Sequence, residues 1–152
     1  MAATAKNPEI IDLARGLNGT PWCEEYENMI SGMMLVAPHS TPLDAHQQEL
    51  IYRYDPTVPK LLEARHRCRA LMADHNLVDP RSVSYDKIGD VRLEVLKKAL
   101  GRVGEGTFVE PPFLPDYGCN IVIGKNCFVN WKYAISIWIP PSLPSDIERS
   151  DE

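Results

Sequence analysis

The sequence predicts an α+β fold in which about three helices come before a β part. Up to residue 100, apolar residues recur at helical spacing in separate stretches, which is typical of amphipathic helices. After Gly101 this period disappears, and short β-prone pieces alternate with glycine-containing turns. The change of pattern at Gly101 therefore divides the chain into a helical part and a β part.

The first predicted helix follows residues 1–19, which are polar, contain glycines and are expected to form a flexible leader. Thr20 and Pro21 favour a helix start, because a hydroxyl caps free amides and proline is tolerated at the first helical position. The apolar stripe of this helix consists of Trp22, Tyr26, Met29, Ile30 and Met33.

Residues 35–50 interrupt the helical pattern with prolines and a polar run, and we interpret them as an insert without regular structure. A second helix is predicted over Lys60–His75, where one face is apolar and the other is charged. A third is predicted from about Tyr85 to Leu100, with Gly101 as its stop. Residues 20–100 thus form one helical domain.

The β part is expected to cover residues 101–139. Within it, Ile121–Asn130 has the rhythm of a hexapeptide repeat, with a small aliphatic residue, a glycine and a short polar turn before the next face. Such repeats build a parallel β-helix, in which each coil is buried by its neighbours. Residues 140–152 are acidic and rich in Pro and Ser, which indicates a disordered tail.

Composition excludes several classes of function. A net charge of −5 argues against a nucleic-acid partner, which needs clustered Lys and Arg. No apolar run approaches the roughly 20 residues that span a bilayer, and no secretory signal pattern is present. The four cysteines contain no Cys-x-x-Cys pair, so we expect free thiols and a cytoplasmic protein.

No metal site is predicted either. His39, Asp44 and His46 are close in the sequence, but they fall in the Pro-rich insert and lack a fourth ligand. Exposed loop residues are the better interpretation of this group.

Three blocks of the sequence carry a family resemblance. They are Glu25–Met33, the Arg-rich stretch Ala64–Asn76, and a long block from Val103 to Asn130 that includes Val-Glu-Pro-Pro-Phe at 109–113 and Asp-Tyr-Gly at 116–118. In these blocks the chain resembles the maltose/galactoside O-acetyltransferases, hexapeptide-repeat acyltransferases with an N-terminal helical domain. The resemblance covers about residues 20–34 and 51–131.

This resemblance implies a left-handed parallel β-helix and the transfer of acetyl from acetyl-CoA, as co-substrate, to a hydroxyl of a maltose-, glucose- or galactoside-like acceptor. It also implies a homotrimer for the intact enzymes and a histidine that takes the proton of the sugar hydroxyl. The identity of the CoA-binding residues is left open.

The chain departs from the family pattern at the insert and again after Asn130. All four histidines precede the β part, and none stands in the catalytic context of the family, so no catalytic residue is assigned. We therefore expect a truncated form of an acyltransferase that is inactive by itself. The alternative is a non-catalytic fragment that packs against a full-length subunit.

Asp116 and Asn130 match positions that resemble the sugar-contacting residues of the family, and Asp55 is a third candidate because an acidic residue near this point contacts the sugar in some members. Carboxylate and amide groups suit this role, because sugar hydroxyls both donate and accept hydrogen bonds. Each also has a structural alternative. Asp116 could form a turn before Tyr117, Asn130 could occupy a left-handed corner of the β-helix, and Asp55 could initiate an Asp-Pro turn.

Overall fold

A computed structural model describes residues 3–35 and 53–130, and its fold is α+β, as the sequence predicts. The helices are α1 (Pro8–Arg15), α2 (Glu24–Ile30), α3 (Pro59–Asn76) and α4 (Ile88–Ala99). The strands are β1 (Met34–Leu35), β2 (Arg53–Tyr54), β3 (Arg102–Val103), β4 (Phe108–Val109), β5 (Val122–Ile123) and β6 (Phe128–Val129). Apart from Leu35, the predicted insert lies outside the described residues, as do residues 131–139 and the predicted tail.

Helix α1 replaces part of the flexible leader predicted for residues 1–19. The Asn7 side chain caps it by accepting hydrogen bonds from the amides of Glu9 and Ile10. Pro8 occupies the first turn, where its missing N–H costs nothing. Ile11 and Ala14 are buried in the cluster that contains the apolar face of α2, and this tertiary contact stabilises the short helix.

Helix α2 begins at Glu24, three residues after the predicted start at Pro21. The segment before it is fixed to α3, because the Lys60 ammonium donates a 2.9 Å hydrogen bond to the Trp22 carbonyl. Cys23 is extended, with φ −160° and ψ 167°, and occupies the N-cap position. The capping role predicted for Thr20 is therefore wrong.

Helix α3 agrees with the predicted span of Lys60–His75 to within one residue at each end. Helix α4 starts at Ile88 rather than near Tyr85, because the Ser84 carbonyl accepts hydrogen bonds from the amides of Lys87 and Ile88 in a turn that precedes the helix. The two helices pack against each other through one apolar cluster that also reaches the β part. Its buried members are Cys68, Met72, Leu96, Ala99, Leu100, Val109 and Phe113.

In the described β part, strands that are 20 residues apart in the sequence stack on each other. Strand β3 pairs in parallel with β5, Arg102 opposite Val122, and β4 pairs in parallel with β6, Phe108 opposite Phe128. The corners between the strands also stack, with positive φ at Gly106 (70°) in the upper turn. Parallel pairing at one fixed interval is what a coiled β solenoid requires. The left-handed β-helix implied by the resemblance stays a prediction.

A second apolar cluster joins the first helices to the 3-10 turn of the β part (Gly118–Asn120). Tyr26 and Leu61 are fully buried in it beside Cys119. The Tyr26 hydroxyl donates a 2.8 Å hydrogen bond to the Asn120 side-chain oxygen. The two clusters fix the loop at residues 110–117 against α3, and this contact builds the site described next.

Candidate functional site

Asp116 lies beside α3, between two arginines of that helix. Its Oδ1 is 2.9 Å from Nη2 of Arg69, and its Oδ2 is 3.5 Å from Nε of Arg65. Residues four apart in a helix share a face, so both guanidinium groups reach the same carboxylate. The Asp116 side chain is 52% exposed, and exposed ion pairs of this kind contribute at most about 1 kcal/mol. The arginines therefore orient the carboxylate more than they stabilise the fold.

The loop that carries Asp116 is tied to α3 on both sides of it. Before it, the Asn76 side chain donates to the Phe113 carbonyl (3.0 Å) and accepts from the Phe113 amide (2.9 Å). After it, the buried Cys68 sulfur accepts from the Gly118 amide at 3.3 Å. Because both flanks are fixed, the position of the carboxylate is built into the fold.

Arg65 and Tyr117 supply two hydrogen-bond donors next to this carboxylate. The Arg65 guanidinium lies 5.2 Å from the centre of the Tyr117 ring, over its face. Within the described residues, Arg65 Nε and the Tyr117 hydroxyl are buried and have no hydrogen-bond partner. The 3.5 Å separation between Nε and Asp116 exceeds the usual range for a hydrogen bond, so it is a contact of charges. Both donors therefore lack a partner among the described residues, and both atoms are closed to solvent.

Two phenols lie within the electrostatic reach of Arg65. Burial raises the pKa of Tyr117 and of Tyr54, and the positive charge of Arg65 opposes this rise in both cases. The net shift is upward, so both phenols stay protonated at neutral pH. A protonated phenol can donate a hydrogen bond to a ligand oxygen.

Asp55 follows Tyr54 directly, and its side chain forms a turn. Its Oδ1 accepts hydrogen bonds from the amide and the hydroxyl of Thr57, at 2.7 and 2.6 Å. The Thr57 hydroxyl and amide hold the pKa of the Asp55 carboxyl below its ordinary value. The Asp55 amide donates to Glu25 at 2.6 Å. The Asp-Pro turn considered as the structural alternative is therefore present, and a contact between Asp55 and a sugar stays a prediction.

Asn130 is exposed and comes directly after β6. The carbonyl of its neighbour Val129 accepts a 2.9 Å hydrogen bond from the Glu110 amide, so Asn130 lies under the strand that leads into the Asp116 loop. The left-handed corner considered for Asn130 is found at Asn126, with φ 54°. A role for Asn130 in sugar binding likewise stays a prediction.

Comparison with known proteins shows a similarity to one group of acetyltransferases. Residues 52–104, which include α3, α4 and β3, match the maltose acetyltransferase hexapeptide capping motif. Escherichia coli galactoside O-acetyltransferase is 36% identical over 49% of this chain and 34% of its own length. In these residues the chain is similar to the maltose/galactoside O-acetyltransferases. The arginines beside Asp116 lie inside the matched motif, and Asp116 itself lies beyond it.

Two further relatives are fungal. The sophorolipid acetyltransferase of Starmerella bombicola is 25% identical over 77% of this chain and 39% of its own length. A Saccharomyces cerevisiae protein described as an acetyltransferase is 27% identical over 60% of this chain and 52% of its own. The chain thus spans about half the length of these curated relatives, or less.

Sequence reasoning missed Arg65, Arg69, Tyr54 and Tyr117 as site residues. The signal for the arginines was present, since Arg65 and Arg69 stand four apart in an Arg-rich predicted helix. Arg67, between them, points elsewhere and donates to the Gly19 carbonyl. Which arginines contact the Asp116 carboxylate depends on where the Asp116 loop crosses the helix, and only tertiary structure shows that.

A groove of about 500 Å³ lies between Trp22 and the first turns of α3. Its cations are already engaged, because Lys60 and Arg67 donate to carbonyls of the loop at residues 19–22. Glu63 adds a negative charge to the same wall. We interpret this groove as part of the packing interface between that loop and α3.

Neither of the two histidines in the described part of the chain is placed as a general base for a sugar hydroxyl bound at Asp116. His75 is fully buried, and burial lowers its pKa. His66 is exposed on α3, whereas His39 and His46 lie outside the described residues. Among residues 3–35 and 53–130 there is also no group of His, Cys, Asp and Glu that could hold a metal ion. No helix in these ranges is long and apolar enough to cross a bilayer.

Proposed function

We propose that this chain takes part in transferring acetyl from acetyl-CoA to a sugar hydroxyl, and that Asp116 is the centre of its acceptor site. The observation that supports this is the exposed pair of Asp116 and Arg69, in which an oriented carboxylate lies 2.9 Å from a guanidinium nitrogen. Sugar hydroxyls need acceptors and donors side by side, and this group supplies both.

The similarity to these acetyltransferases supports the reaction class. One relative is named for galactosides and another for a sophorolipid. In the proposed reaction the sugar oxygen forms a bond to the thioester carbonyl carbon of acetyl-CoA. The bond from that carbon to sulfur then breaks, and CoA leaves as the thiolate. A general base must take the proton of the hydroxyl, because a neutral hydroxyl is a weak nucleophile.

No described residue suits the role of that base, so we assign to the described residues the binding and orientation of the acceptor. The sugar would lie against Asp116 and Arg65, with the Tyr117 ring at one wall. Acetyl-CoA is the proposed co-substrate, and no metal is proposed. A homotrimer and a cytoplasmic location also stay predictions.

The test is sugar binding by the 152-residue chain, measured by calorimetry with maltose, glucose and methyl galactoside. Asp116→Asn keeps the shape of the side chain but removes its charge. A hydrogen bond to a charged group contributes about 1.5–3 kcal/mol, so we expect the affinity to fall roughly 10- to 100-fold.

The matched control is Asp79→Asn. Asp79 is also an ion-paired carboxylate at the surface, bound to Arg81 at 3.0 Å, and it does not contact the Asp116 site. This variant is expected to bind sugar like the unchanged chain. Equal affinity of the Asp116→Asn variant and the unchanged chain would contradict the proposed site.

A second measurement addresses catalysis. Release of thiol from acetyl-CoA in the presence of the sugar that binds reports transfer directly. We expect binding without turnover by this chain, because the base is not among the described residues. Clear turnover would refute that part of the proposal but leave the acceptor site in place.

A further inference from the structure

Arg92 is a buried cation that has no counter-ion in the described part of the chain. It is 8% exposed, and no carboxylate of residues 3–35 or 53–130 forms an ion pair with it. The positions three and four residues away in α4, which share its face of the helix, carry no acid either. A charge that is removed from water without a counter-ion destabilises a fold. The surroundings of Arg92 therefore favour the binding of an anion.

The guanidinium of Arg92 is held with one edge toward the surface. It lies over the ring of Phe108, 5.8 Å from the ring centre. Its Nε is closed to solvent and has no hydrogen-bond partner among the described residues, whereas the two Nη atoms are not closed off in this way. Two neighbouring N–H groups of a guanidinium match the two oxygens of a carboxylate. Because burial already fixes the side chain, little ordering is needed when a carboxylate binds.

Two stacked aromatic rings continue the surface beside this guanidinium. Phe108 stacks on Phe128, with ring centres 6.0 Å apart and an angle of 8° between the rings. Phe128 is 66% exposed, which alone would mean little, since single exposed apolar side chains are common. Here, however, the exposed ring lies one ring away from a buried cation. A ligand that fits this surface combines a carboxylate with an apolar side chain.

We infer that the surface formed by Arg92, Phe108 and Phe128 binds residues 146–148 of the same chain. In this contact Arg92 binds an acidic side chain of the segment, and Ile147 packs against Phe128. The sequence Asp-Ile-Glu at 146–148 places an apolar side chain between two acids, which is the combination that the surface fits. The segment lies outside the described residues, and the match of charge and apolar surface supports the contact.

The length of the connection permits this contact. Asp146 is 16 residues beyond Asn130, which directly follows β6, and 16 extended residues span about 50 Å. From Phe128 across Phe108 to Arg92 the path is only two ring contacts long, of 6.0 and 5.8 Å. The reach of the chain therefore does not limit binding, and the covalent connection raises the local concentration of the segment.

The first test is the NMR signal of the Arg92 Nε–H group in the 152-residue chain, assigned by its loss in Arg92→Lys. Asp146→Asn combined with Glu148→Gln removes both charges and keeps the shapes of the side chains. We expect the Nε–H signal and the ring signals of Phe128 to shift in this variant.

The matched control is Asp151→Asn combined with Glu152→Gln. These changes remove the same amount of charge from the same region of the sequence but leave residues 146–148 intact. The signals of Arg92 and Phe128 should stay in place in this variant.

A second test measures the coupling between the two partners by urea denaturation. A hydrogen bond to a charged group is lost when Asp146 and Glu148 are neutralised, so the equilibrium constant for unfolding should rise at least roughly ten-fold. In the Arg92→Gln background the same two changes should alter it less than about two-fold. The NMR comparison keeps Arg92 and therefore decides the question even where the Arg92→Gln chain does not fold.

Three results would oppose the inference. Unchanged Arg92 and Phe128 signals after neutralisation of Asp146 and Glu148 would overturn it. Equal shifts in the control variant would show a general effect of charge and not a contact with residues 146–148. A shift that grows with protein concentration, together with self-association in sedimentation, would assign the carboxylate to a second copy and overturn the contact within one chain. The proposed acetyl transfer does not depend on any of these results.

Discussion

Side-chain burial holds the helical unit together, whereas close backbone contact holds the stacked turns of residues 101–130. The helices bury whole side chains between them, and Tyr26, Leu61 and Leu96 are fully inaccessible. In the β turns the strands are two residues long, and Phe128 is 66% exposed. There the turns approach so closely that a Cβ on Gly104 would lie 2.5 Å from the Lys125 amide nitrogen.

The difference teaches where each region is sensitive to substitution. A helical core tolerates changes at its surface and loses stability when a buried side chain is shortened. Stacked turns have few buried side chains to shorten, but a single added methyl group can separate the backbones. We therefore expect the largest effects at opposite kinds of residue, a glycine in one region and a leucine in the other.

The largest effect is expected from Gly104→Ala. The added Cβ would overlap backbone atoms of Gly124 and Lys125 at 2.5–2.6 Å, which no side-chain rotation relieves. We expect a loss of roughly 4 kcal/mol in the free energy of unfolding, or failure to fold, measured by urea denaturation. Gly124→Ala is the matched control, since Gly124 stands one turn below and its Cβ would meet only the Cys127 sulfur, at 3.5 Å, among the described residues. Equal effects of the two changes would contradict stacking of the turns.

The next largest effect is expected from Leu61→Ala. Leu61 is fully buried in the cluster with Tyr26 and Cys119, so its truncation removes apolar burial and leaves a cavity. The expected loss is about 3 kcal/mol in the free energy of unfolding. Leu62→Ala is the control, because Leu62 is its neighbour in α3 and is 45% exposed. A loss for Leu62→Ala as large as that for Leu61→Ala would show that helix propensity, not burial, sets the stability here.

A smaller effect is expected where the two regions meet, at His75. Burial lowers the pKa of this imidazole, and the nearby positive charge of Arg92 acts in the same direction. His75 is therefore neutral in the folded chain at a pH where the unfolded chain, with an ordinary pKa of 6.5, already binds a proton. The stabilisation is fully present above pH 6.5 and is lost as the pH falls below it.

We expect the free energy of unfolding to fall by at most about 1.4 kcal/mol per pH unit between pH 6.5 and 5, measured by urea denaturation at each pH. The carboxyls whose pKa is lowered (Asp55, Asp79 and Glu94) have ordinary values of 3.8 or 4.5, so their contribution is lost below this window. His75→Gln should flatten the dependence, and the exposed His66→Gln should leave it unchanged. A flat profile in the unchanged chain would contradict the burial of a neutral His75.

The sequence by itself determined the elements that depend on local pattern. Helix α3 was predicted to within one residue at each end, because its apolar positions recur at helical spacing over almost five turns. The boundary at Gly101 and the β-prone pieces on either side of the Asp116 loop were also predicted, since glycine and short aliphatic runs act locally. Helix α1 was missed although the Asn7 cap and Pro8 in its first turn are local signals, and the burial of Ile11 against α2 adds the contact that stabilises it.

Only the tertiary structure decided which residues form the site. The sequence indicated Asp116 through a resemblance, but Arg65, Arg69 and Tyr117 became its partners when the loop at residues 110–117 crossed α3. That crossing is set by the two hydrogen bonds between Asn76 and the backbone of Phe113 and by the packing of Cys68 under Gly118. Local pattern fixes each element because its forces act between near neighbours in the chain. The site depends on contacts between residues about 50 positions apart, which only packing of the whole chain establishes.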